Sequence, residues 1–315
     1  MRELERHKHD TNGATPALGG GTIQVVRTVA DLRRVLAAPR TAGRTIGLVP
    51  TMGAFHEGHL SLIRRAREDC EVVVVSLFVN PTQFAPGEDL SRYPRDEARD
   101  LSLAEREGVD LLFAPPVDEV YPSGPSTAVD VPAVSEVLCG APERRGPAHF
   151  RGVATVVTKL FNMVQPDVAY FGQKDFQQTI VIKQLVRDLD IPVRIEVCPT
   201  VRDADGLALS SRNAYLDPGE RQRALSLKGA LDAAAGALAA GASREEAVRA
   251  GRAILEAADV NPEYIEILRA EDLGAPIWAP GEPIVIAVAA RVGSARLIDN
   301  AVTQVPAVVS EPAVT

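Results

Sequence analysis

The sequence predicts an α/β protein, in which a doubly wound parallel sheet precedes a smaller α+β domain at the C-terminus. Short apolar runs alternate with segments of helical period from residue 22 to residue 200, and the pattern changes after Val201. Strands that alternate with helices favour right-handed crossovers and a parallel sheet covered on both faces. The chain has 315 residues, which suits two domains. The first domain is therefore predicted to be Rossmann-like.

Ten elements follow one another in the first domain, residues 22–200. Compact apolar runs that end at Pro or Gly are typical of buried parallel strands, and they predict strands at residues 45–51, 71–81, 109–116, 166–172 and 193–200. Apolar residues spaced by three or four, such as Leu60 and Ile63, predict helices. These helices are expected at residues 28–38, 56–69, 95–108, 152–165 and 176–189.

The second domain, residues 201–303, reads as two helices followed by three short strands. The helices are predicted at residues 219–241 and 243–258, and the strands at 264–269, 283–293 and 295–302. Its many alanines indicate helix propensity and carry no functional signal. Residues 1–21 are polar and glycine-rich and are predicted to be a flexible leader, and residues 304–315 a loose tail.

Composition excludes several classes of protein. A net charge of -8 and a pI near 5.3 disfavour a broad nucleic-acid or acidic-membrane surface. The longest apolar stretch, residues 72–79, is too short to span a bilayer. Three cysteines without CxxC spacing indicate reduced thiols, and the charged N-terminus lacks the apolar core of a secretory signal. We therefore expect a cytoplasmic protein with no membrane or nucleic-acid partner.

Two histidines, His56 and His59, open the helix that follows the first buried strand. A zinc-protease helix places its ligands four residues apart in HExxH, whereas these lie three apart with Gly58 between them. No Cys or Asp cluster lies near them in the sequence, so a zinc site is disfavoured. Two histidines with ordinary packing or surface roles are the simplest alternative.

The position of the pair favours phosphate binding. Ligands collect at the carboxyl ends of strands in an open α/β sheet, and a helix N-terminus attracts phosphate through unpaired N–H groups and partial positive charge. Gly53 and Gly58 would let the backbone approach a ligand closely. We therefore predict a phosphate-handling turn in which the imidazoles donate hydrogen bonds to a phosphoryl group.

Longer motifs carry a resemblance to a known family. HEGH at residues 56–59 matches the HxGH signature of the nucleotidyltransferase superfamily. The string VPTMGAFHEGHLSLI, with FVNPTQF, YFGQKDFQQ and DGLALSSRNAYL in the same order, resembles the pantothenate synthetase (pantoate–β-alanine ligase) family from about Val26 to Ile298. The resemblance implies ATP-dependent condensation of (R)-pantoate with β-alanine. The products are pantothenate, AMP and pyrophosphate, formed through a pantoyl adenylate.

The resemblance also implies the site residues. Expected to bind ATP are Met52, Gly53, Ala54, Phe55, His56, Glu57, Gly58, His59, Gly172, Gln173, Lys174, Asp175, Val201, Leu209, Ser210, Ser211 and Arg212. Of these, His56, His59, Lys174, Ser210 and Arg212 are expected to be catalytic, with His59 as proton donor. Gln83 and Gln178 are expected to bind pantoate, Gln83 lying near the β-alanine position.

The residue types agree with these roles but do not require them. Lys174 is a point charge for phosphate, and glutamine amides suit the hydroxyls and carboxylate of pantoate. Gln178 lies one turn beyond Lys174 on the same face. Without the resemblance, Lys174 and Asp175 would read as a charge pair at a helix start, and the serines as part of an ordinary loop.

The metal and the assembly are less defined by the sequence. The reaction implies Mg²⁺, and the acidic candidates are Asp100 and Asp175, the latter also a possible helix cap. Arg99 precedes Asp100 where the family tends to have another acid, so the metal is expected to be held mainly by ATP phosphates and water. The metal ligands are left unknown. The family also implies a homodimer.

Two other functions fit parts of the sequence. A plain nucleotidyltransferase would share the HxGH signature but not the later motifs. A non-catalytic nucleotide-binding module would need neither the histidines nor Lys174 and Arg212. A tRNA synthetase is disfavoured by the acidic charge and by the lack of a basic anticodon-binding domain.

Overall fold

The computed structural model describes residues 22–85, 88–123 and 126–307. The predicted leader at residues 1–21 and the tail from residue 308 onward lie outside them. In chain order the strands and helices are β1 (Gln24–Val26), α1 (Val29–Thr41), β2 (Ile46–Thr51), α2 (Glu57–Asp69), β3 (Val72–Leu77), α3 (Glu97–Arg106), β4 (Leu111–Phe113), α4 (Val117–Val120), α5 (Pro147–Val164), β5 (Val168–Gly172), α6 (Phe176–Asp188), β6 (Arg194–Cys198), α7 (Pro218–Ala224), α8 (Ser226–Ala239), α9 (Arg244–Ala257), β7 (Pro262–Arg269), β8 (Pro283–Val292) and β9 (Ala295–Gln304).

Strands β1 to β6 form one parallel sheet in the order β1-β4-β3-β2-β5-β6. Its central strands are rich in β-branched residues and are buried on both faces, as expected for strands covered by helices. Helices α2 and α3 pack on one face, and α1 and α5 on the other. The predicted doubly wound α/β architecture is confirmed.

The arrangement of helices creates a crevice beside β2. The chain runs from β2 to β3 and β4 on one side, and from β5 to β6 on the other. Helix α2, which follows β2, lies on the face opposite to Ile182 of α6, which follows the neighbouring β5. Loops that leave adjacent strands toward opposite faces open a ligand-binding crevice at the carboxyl ends of the strands.

Strands β7 to β9 form a separate antiparallel sheet covered by α8 and α9. This is the predicted smaller α+β unit. Strand β9 runs to Gln304, and Val305 is buried in the same core, so the described chain remains packed past residue 303. No helix within the described ranges is long and apolar enough to cross a membrane.

Several features differ from the sequence prediction. Helix α4 was not predicted, α5 begins at Pro147 instead of residue 152, and β4 is shorter than predicted. The strand predicted at residues 71–81 ends at Leu77, because the chain then turns into a short 3₁₀ helix at Pro81–Gln83. The helix predicted at 219–241 is interrupted at Leu225. Strand β1 was missed, since three residues at a sheet edge leave too short a pattern to detect.

Candidate active site

The turn between β2 and α2 is held by a buried carboxylate. Asp100, 1% exposed, reaches across from α3. Its Oδ2 accepts the N–H of Ala54 at 2.8 Å, and its Oδ1 accepts the N–H of Phe55 at 2.7 Å. Burial raises the pKa of this carboxyl, partly opposed by the two N–H groups. Asp100 therefore shapes the turn; it is buried and does not line the cleft, and its role as a magnesium ligand stays a prediction.

Glycine is required at the start of this turn. Gly53 has φ +86°, a left-handed conformation that favours glycine. A Cβ there would lie 2.6 Å from Leu77 Cδ1 and 2.9 Å from Asp100 Oδ2. The close approach of Asp100 to the backbone thus requires that residue 53 has no side chain.

The two histidines cap the helix that follows. The N–H of Gly58 donates to His56 Nδ1 at 3.2 Å, and the N–H of His56 donates to His59 Nδ1 at 3.4 Å. The ring centroids are 4.2 Å apart. Since Nδ1 accepts in both rings, the proton of each neutral imidazole is on Nε2. Both rings line the cleft, so this arrangement provides a pair of Nε2–H donors.

Both histidines are held in the neutral form. Burial lowers the pKa of His56 from 6.5 to about 4, and the Lys174 charge contributes to the same shift. Burial, followed by the neighbouring His56, lowers the pKa of His59 to about 3. At neutral pH the two side chains are therefore uncharged hydrogen-bond donors.

Gln83 is oriented by a network at the end of β3. Asn80, 1% exposed, donates from Nδ2 to Gln83 Oε1 at 3.0 Å and to the carbonyl of Gly152 at 3.1 Å. The amide of Gln83 also lies 3.1 Å from Met52 Sδ. The Oδ1 atom of Asn80 accepts the hydroxyl of Tyr121 at 2.9 Å. Asn80 caps the short helix and also fixes the Gln83 side chain.

His149 is a cleft residue that the sequence prediction missed. Its Nδ1 lies 2.7 Å from the carbonyl of Gln83, so this nitrogen carries the proton, and its Nε2 lies 3.1 Å from Arg145 Nη1. Arg145 in turn pairs with Glu88 at 2.6 Å. Burial and the Arg145 charge lower the pKa of His149 to about 4. A lone histidine in the first turn of α5 gives no sequence signal for these contacts.

The loop after β5 brings Lys174 into the same cleft. Strand β5 ends at Gly172, a 3₁₀ turn covers Gln173–Asp175, and α6 begins at Phe176. Lys174, Asp175 and Gln178 line the cleft. Asp175 makes no side-chain cap to α6, which corrects the capping role suggested from sequence and leaves its exposed carboxylate facing the cleft.

The loop from Val201 to Arg212 closes the site from the second unit. Arg202 and Ala208 form a β-bridge, and the N–H of Leu209 donates to the carbonyl of Val201 at 3.0 Å. Ser210 Oγ accepts the N–H of Arg212 at 3.3 Å and caps a short 3₁₀ helix. Ser210 and the backbone of Arg212 are thereby held on one short turn, and both residues line the cleft with Lys174.

The cleft brings together most of the predicted residues. Its lining includes Met52, His56, Gly58, His59, Gln83, Gly172, Lys174, Asp175, Gln178, Val201, Leu209, Ser210, Ser211 and Arg212. Five other predicted residues do not line it, namely Gly53, Ala54, Phe55, Glu57 and Gln173. Phe55 is buried beneath His59, and Glu57 pairs with Arg64 on the outer face of α2. Ala54 and Phe55 bond Asp100 through their backbone N–H groups, and Gln173 bonds Asn300 through its side chain.

The chemistry of the cleft follows from two sets of lining groups. The histidine Nε2–H donors, Lys174, Ser210 and Arg212 suit a polyphosphate. The amides of Gln83 and Gln178 line the same cleft together with the apolar side chains Phe78, Val153, Val156, Val157 and Leu160. Among the described residues no three His, Cys, Asp or Glu side chains are grouped to hold a metal.

Comparisons with known proteins agree with this geometry. The family model described as pantoate-beta-alanine ligase matches residues 24–302. A pantothenate synthetase of Moorella thermoacetica is 52% identical over 287 residues, covering 90% of this chain and 99% of that protein. The crystal structure of pantothenate synthetase from Thermus thermophilus matches with a TM-score of 0.83 and 48% identity, covering 90% of this chain and 100% of that one.

A third relative was solved with ligands. It is the pantoate-beta-alanine ligase from Francisella tularensis, complexed with beta-gamma ATP and beta-alanine. Its TM-score is 0.74 at 32% identity, and the match covers 89% of this chain and 97% of that one. By the match of the family model and by these identities, the chain belongs to the pantoate–β-alanine ligase (pantothenate synthetase) family.

Proposed function

We propose that this protein condenses (R)-pantoate with β-alanine at the expense of ATP, giving pantothenate, AMP and pyrophosphate through a pantoyl adenylate. The observation that carries the proposal is the presence of two sets of groups in one cleft. The neutral histidine pair lines it with Lys174, Ser210 and Arg212, and the amide side chains of Gln83 and Gln178 line it with a set of apolar side chains. Membership of the family supports the same reaction.

In the first step the carboxylate of pantoate attacks the α-phosphorus of ATP, and pyrophosphate leaves. Negative charge increases on the phosphoryl oxygens, where preorganised donors are most effective. We assign this stabilisation to the Nε2–H groups of His56 and His59 and to Lys174, Ser210 and Arg212. Because burial lowers the pKa of His59, we favour hydrogen-bond donation by the neutral ring, and the proton donation expected from sequence stays a prediction.

In the second step the neutral amine of β-alanine attacks the acyl carbon of the adenylate, AMP leaves, and the amine proton passes to solvent. Gln83 and Gln178 hold pantoate in place, and the apolar side chains that line the cleft exclude water from the reactive acyl phosphate. No enzyme nucleophile is required. The buried thiols therefore have no part in the chemistry.

Magnesium, assembly and location complete the proposal. Mg²⁺ neutralises phosphate charge in such reactions and usually keeps several water ligands. The residues present fit a metal that would be carried in by ATP. Asp175 lines the cleft next to Lys174 in sequence and would supply a carboxylate.

We also propose that the protein is a cytoplasmic homodimer. Its domains comprise residues 22–200 and 201–303, and the second domain and the 205–213 loop act as a lid.

The test is AMP formation from ATP in the presence of pantoate, with and without β-alanine, together with pantoate-dependent pyrophosphate exchange. We expect exchange with pantoate alone and AMP release at full rate only when β-alanine is added. Exchange that does not need pantoate would indicate a plain nucleotidyltransferase. Nucleotide binding without AMP release would indicate a non-catalytic module.

A further inference from the structure

Two neighbouring polar residues of β9 are buried at the junction between the two units. Asp299 is 4% exposed and Asn300 is 3% exposed. Because consecutive strand residues point to opposite faces, they contact two different parts of the active site. Buried polar groups of this kind carry a cost unless they are fully hydrogen-bonded.

Asn300 binds the backbone that carries Lys174. Its Nδ2 donates to the carbonyls of Gln173 and Lys174, both at 3.0 Å. Its Oδ1 accepts Gln173 Nε2 at 3.3 Å. The carboxamide thus uses both ends on one 3₁₀ turn, the turn that directs the Lys174 ammonium into the cleft.

Asp299 binds the hairpin that leads to Ser210 and Arg212. Its carboxylate forms a bidentate pair with Arg202, at 2.6 and 2.9 Å, and accepts the N–H of Asn300 at 2.8 Å. Arg202 also donates to the carbonyl of Gly206 at 3.2 Å. A bidentate pair fixes direction as well as distance, so the hairpin is held in one orientation on β9.

We propose that Asp299 and Asn300 are positioning residues that hold the Lys174 turn and the Ser210–Arg212 loop at a fixed separation. The two loops come from different parts of the chain, and β9 is the element bonded to both. With the 205–213 loop closed over the cleft, the cations of the two loops therefore meet one polyphosphate. This inference rests on the proposed function, in which Lys174 and Arg212 bind the phosphates of ATP.

The experiment compares Asn300→Ala, Lys174→Ala and the double variant in pantoate-dependent pyrophosphate exchange. Displacement of a catalytic group by about 1 Å lowers rates by about 100-fold, so Asn300→Ala should slow exchange by about 10- to 100-fold while the KM for pantoate stays within about 3-fold. The double variant should be no slower than Lys174→Ala, because Asn300 acts through Lys174. Asn162→Ala, which removes a comparable amide-to-carbonyl bond on the exposed face of α5, should leave exchange unchanged.

A second variant tests the contact between Asp299 and Arg202 without removing the charge of either residue. Arg202→Lys retains the positive charge but loses the bidentate geometry, and it should slow exchange by about 3- to 10-fold with its thermal midpoint preserved. Full exchange activity in folded Asn300→Ala and Arg202→Lys, or multiplicative losses in the double variant, would overturn the inference. If Lys174→Ala itself exchanged at the normal rate, the assigned role of Lys174 would be wrong instead.

Discussion

At the scale of single residues, the cleft depends on which nitrogen of each imidazole carries a proton. Backbone N–H groups occupy Nδ1 of His56 and His59, whereas a carbonyl occupies Nδ1 of His149. The first two rings therefore offer an N–H to the cleft, and the third offers a lone pair to Arg145. Burial keeps all three neutral.

Replacement of His59 by alanine removes one of the two Nε2–H donors. Loss of one donor to a developing oxyanion lowers kcat by about 100- to 1,000-fold, and we expect a loss of that size in the overall reaction. Far-UV circular dichroism should be unchanged, because the helix keeps its His56 cap. A folded His59→Ala variant with near-normal kcat would exclude His59 from the mechanism.

Stability should fall as the pH is lowered, because the unfolded chain binds protons that the folded chain does not. The pKa of His149 is about 4 in the folded state against an ordinary value of 6.5, so its contribution is complete above about pH 6.5 and is lost progressively as the pH falls to about 4. Between pH 7 and pH 5 His149 alone should account for a loss of about 1–2 kcal/mol, and the lowered pKa values of His56 and His59 add to the total in the same direction. Urea unfolding of the wild-type protein at both pH values measures the total loss.

His149→Asn is the matched variant for this pH dependence. Asparagine can donate to the carbonyl of Gln83 as Nδ1 does, but it does not titrate. The difference in unfolding free energy between pH 7 and pH 5 should be smaller in this variant than in the wild-type protein by about 1–2 kcal/mol. If the wild-type protein and His149→Asn lose the same unfolding free energy between pH 7 and pH 5, His149 is protonated in the folded state at pH 5.

At the scale of elements, the sequence predicted the strand–turn–helix units but not what holds them. The apolar runs and helical periods of β2, α2, β5 and α6 are local patterns, and local patterns are visible in one sequence. The contacts of Asp100 with Ala54 and of Asn80 with Gly152 span 46 and 72 residues. Such contacts depend on how the sheet brings distant loops together, and no local pattern encodes them.

Asp100→Asn tests whether this residue shapes the turn or binds metal. An amide has one acceptor where the carboxylate has two, so one buried N–H loses its partner at a cost of about 1–3 kcal/mol. We expect a lower unfolding free energy, a lower kcat and an unchanged concentration of Mg²⁺ for half-maximal activity. Asp96→Asn, a neighbouring helix cap that asparagine serves equally well, is the control. A higher Mg²⁺ concentration for half-maximal activity, with the unfolding free energy unchanged, would instead support a metal role.

Gly152→Ala tests the packing of α5 against the Gln83 turn. A Cβ at residue 152 would lie 2.4 Å from the carbonyl oxygen of Thr82 and 2.8 Å from the N–H nitrogen of Gln83. Overpacking of this kind costs about 1–3 kcal/mol, and the displaced turn should raise the KM for pantoate.

Gly236→Ala in α8 is the matched control for this substitution. Its added Cβ meets nothing within 4 Å, so the unfolding free energy should stay the same or increase by about 0.5–1 kcal/mol. Equal stability of the two alanine variants, measured by urea unfolding, would contradict the packing argument.

At the scale of the whole molecule, the two sheets share one apolar cluster. Val134, Leu138 and Ile180 of the first unit pack with Tyr264 and Val285 of the second. The sequence predicted both units and their order, yet it contained no sign of this shared core. Apolar side chains that pack against the neighbouring unit recur along the sequence with the same period as those that pack within their own unit, so the two cannot be told apart by period.

A shared core predicts cooperative unfolding. Differential scanning calorimetry should show one transition, because separation of the units would expose the cluster on both sides. Tyr264→Ala should lower the midpoint of that single transition by removing a buried aromatic side chain. Two resolved transitions in the wild-type protein would show that the units unfold independently.

The capping of α2 by its own histidines limits which side chains can replace them. Each ring accepts a backbone hydrogen at one edge and presents a donor at the opposite edge. Asparagine has an acceptor near the position of Nδ1 but ends short of the cleft, and glutamine reaches the cleft but leaves the backbone hydrogen unmet. A neutral imidazole meets both demands with one rigid ring, so at these two positions the stability of the helix start and the chemistry of the cleft require the same residue.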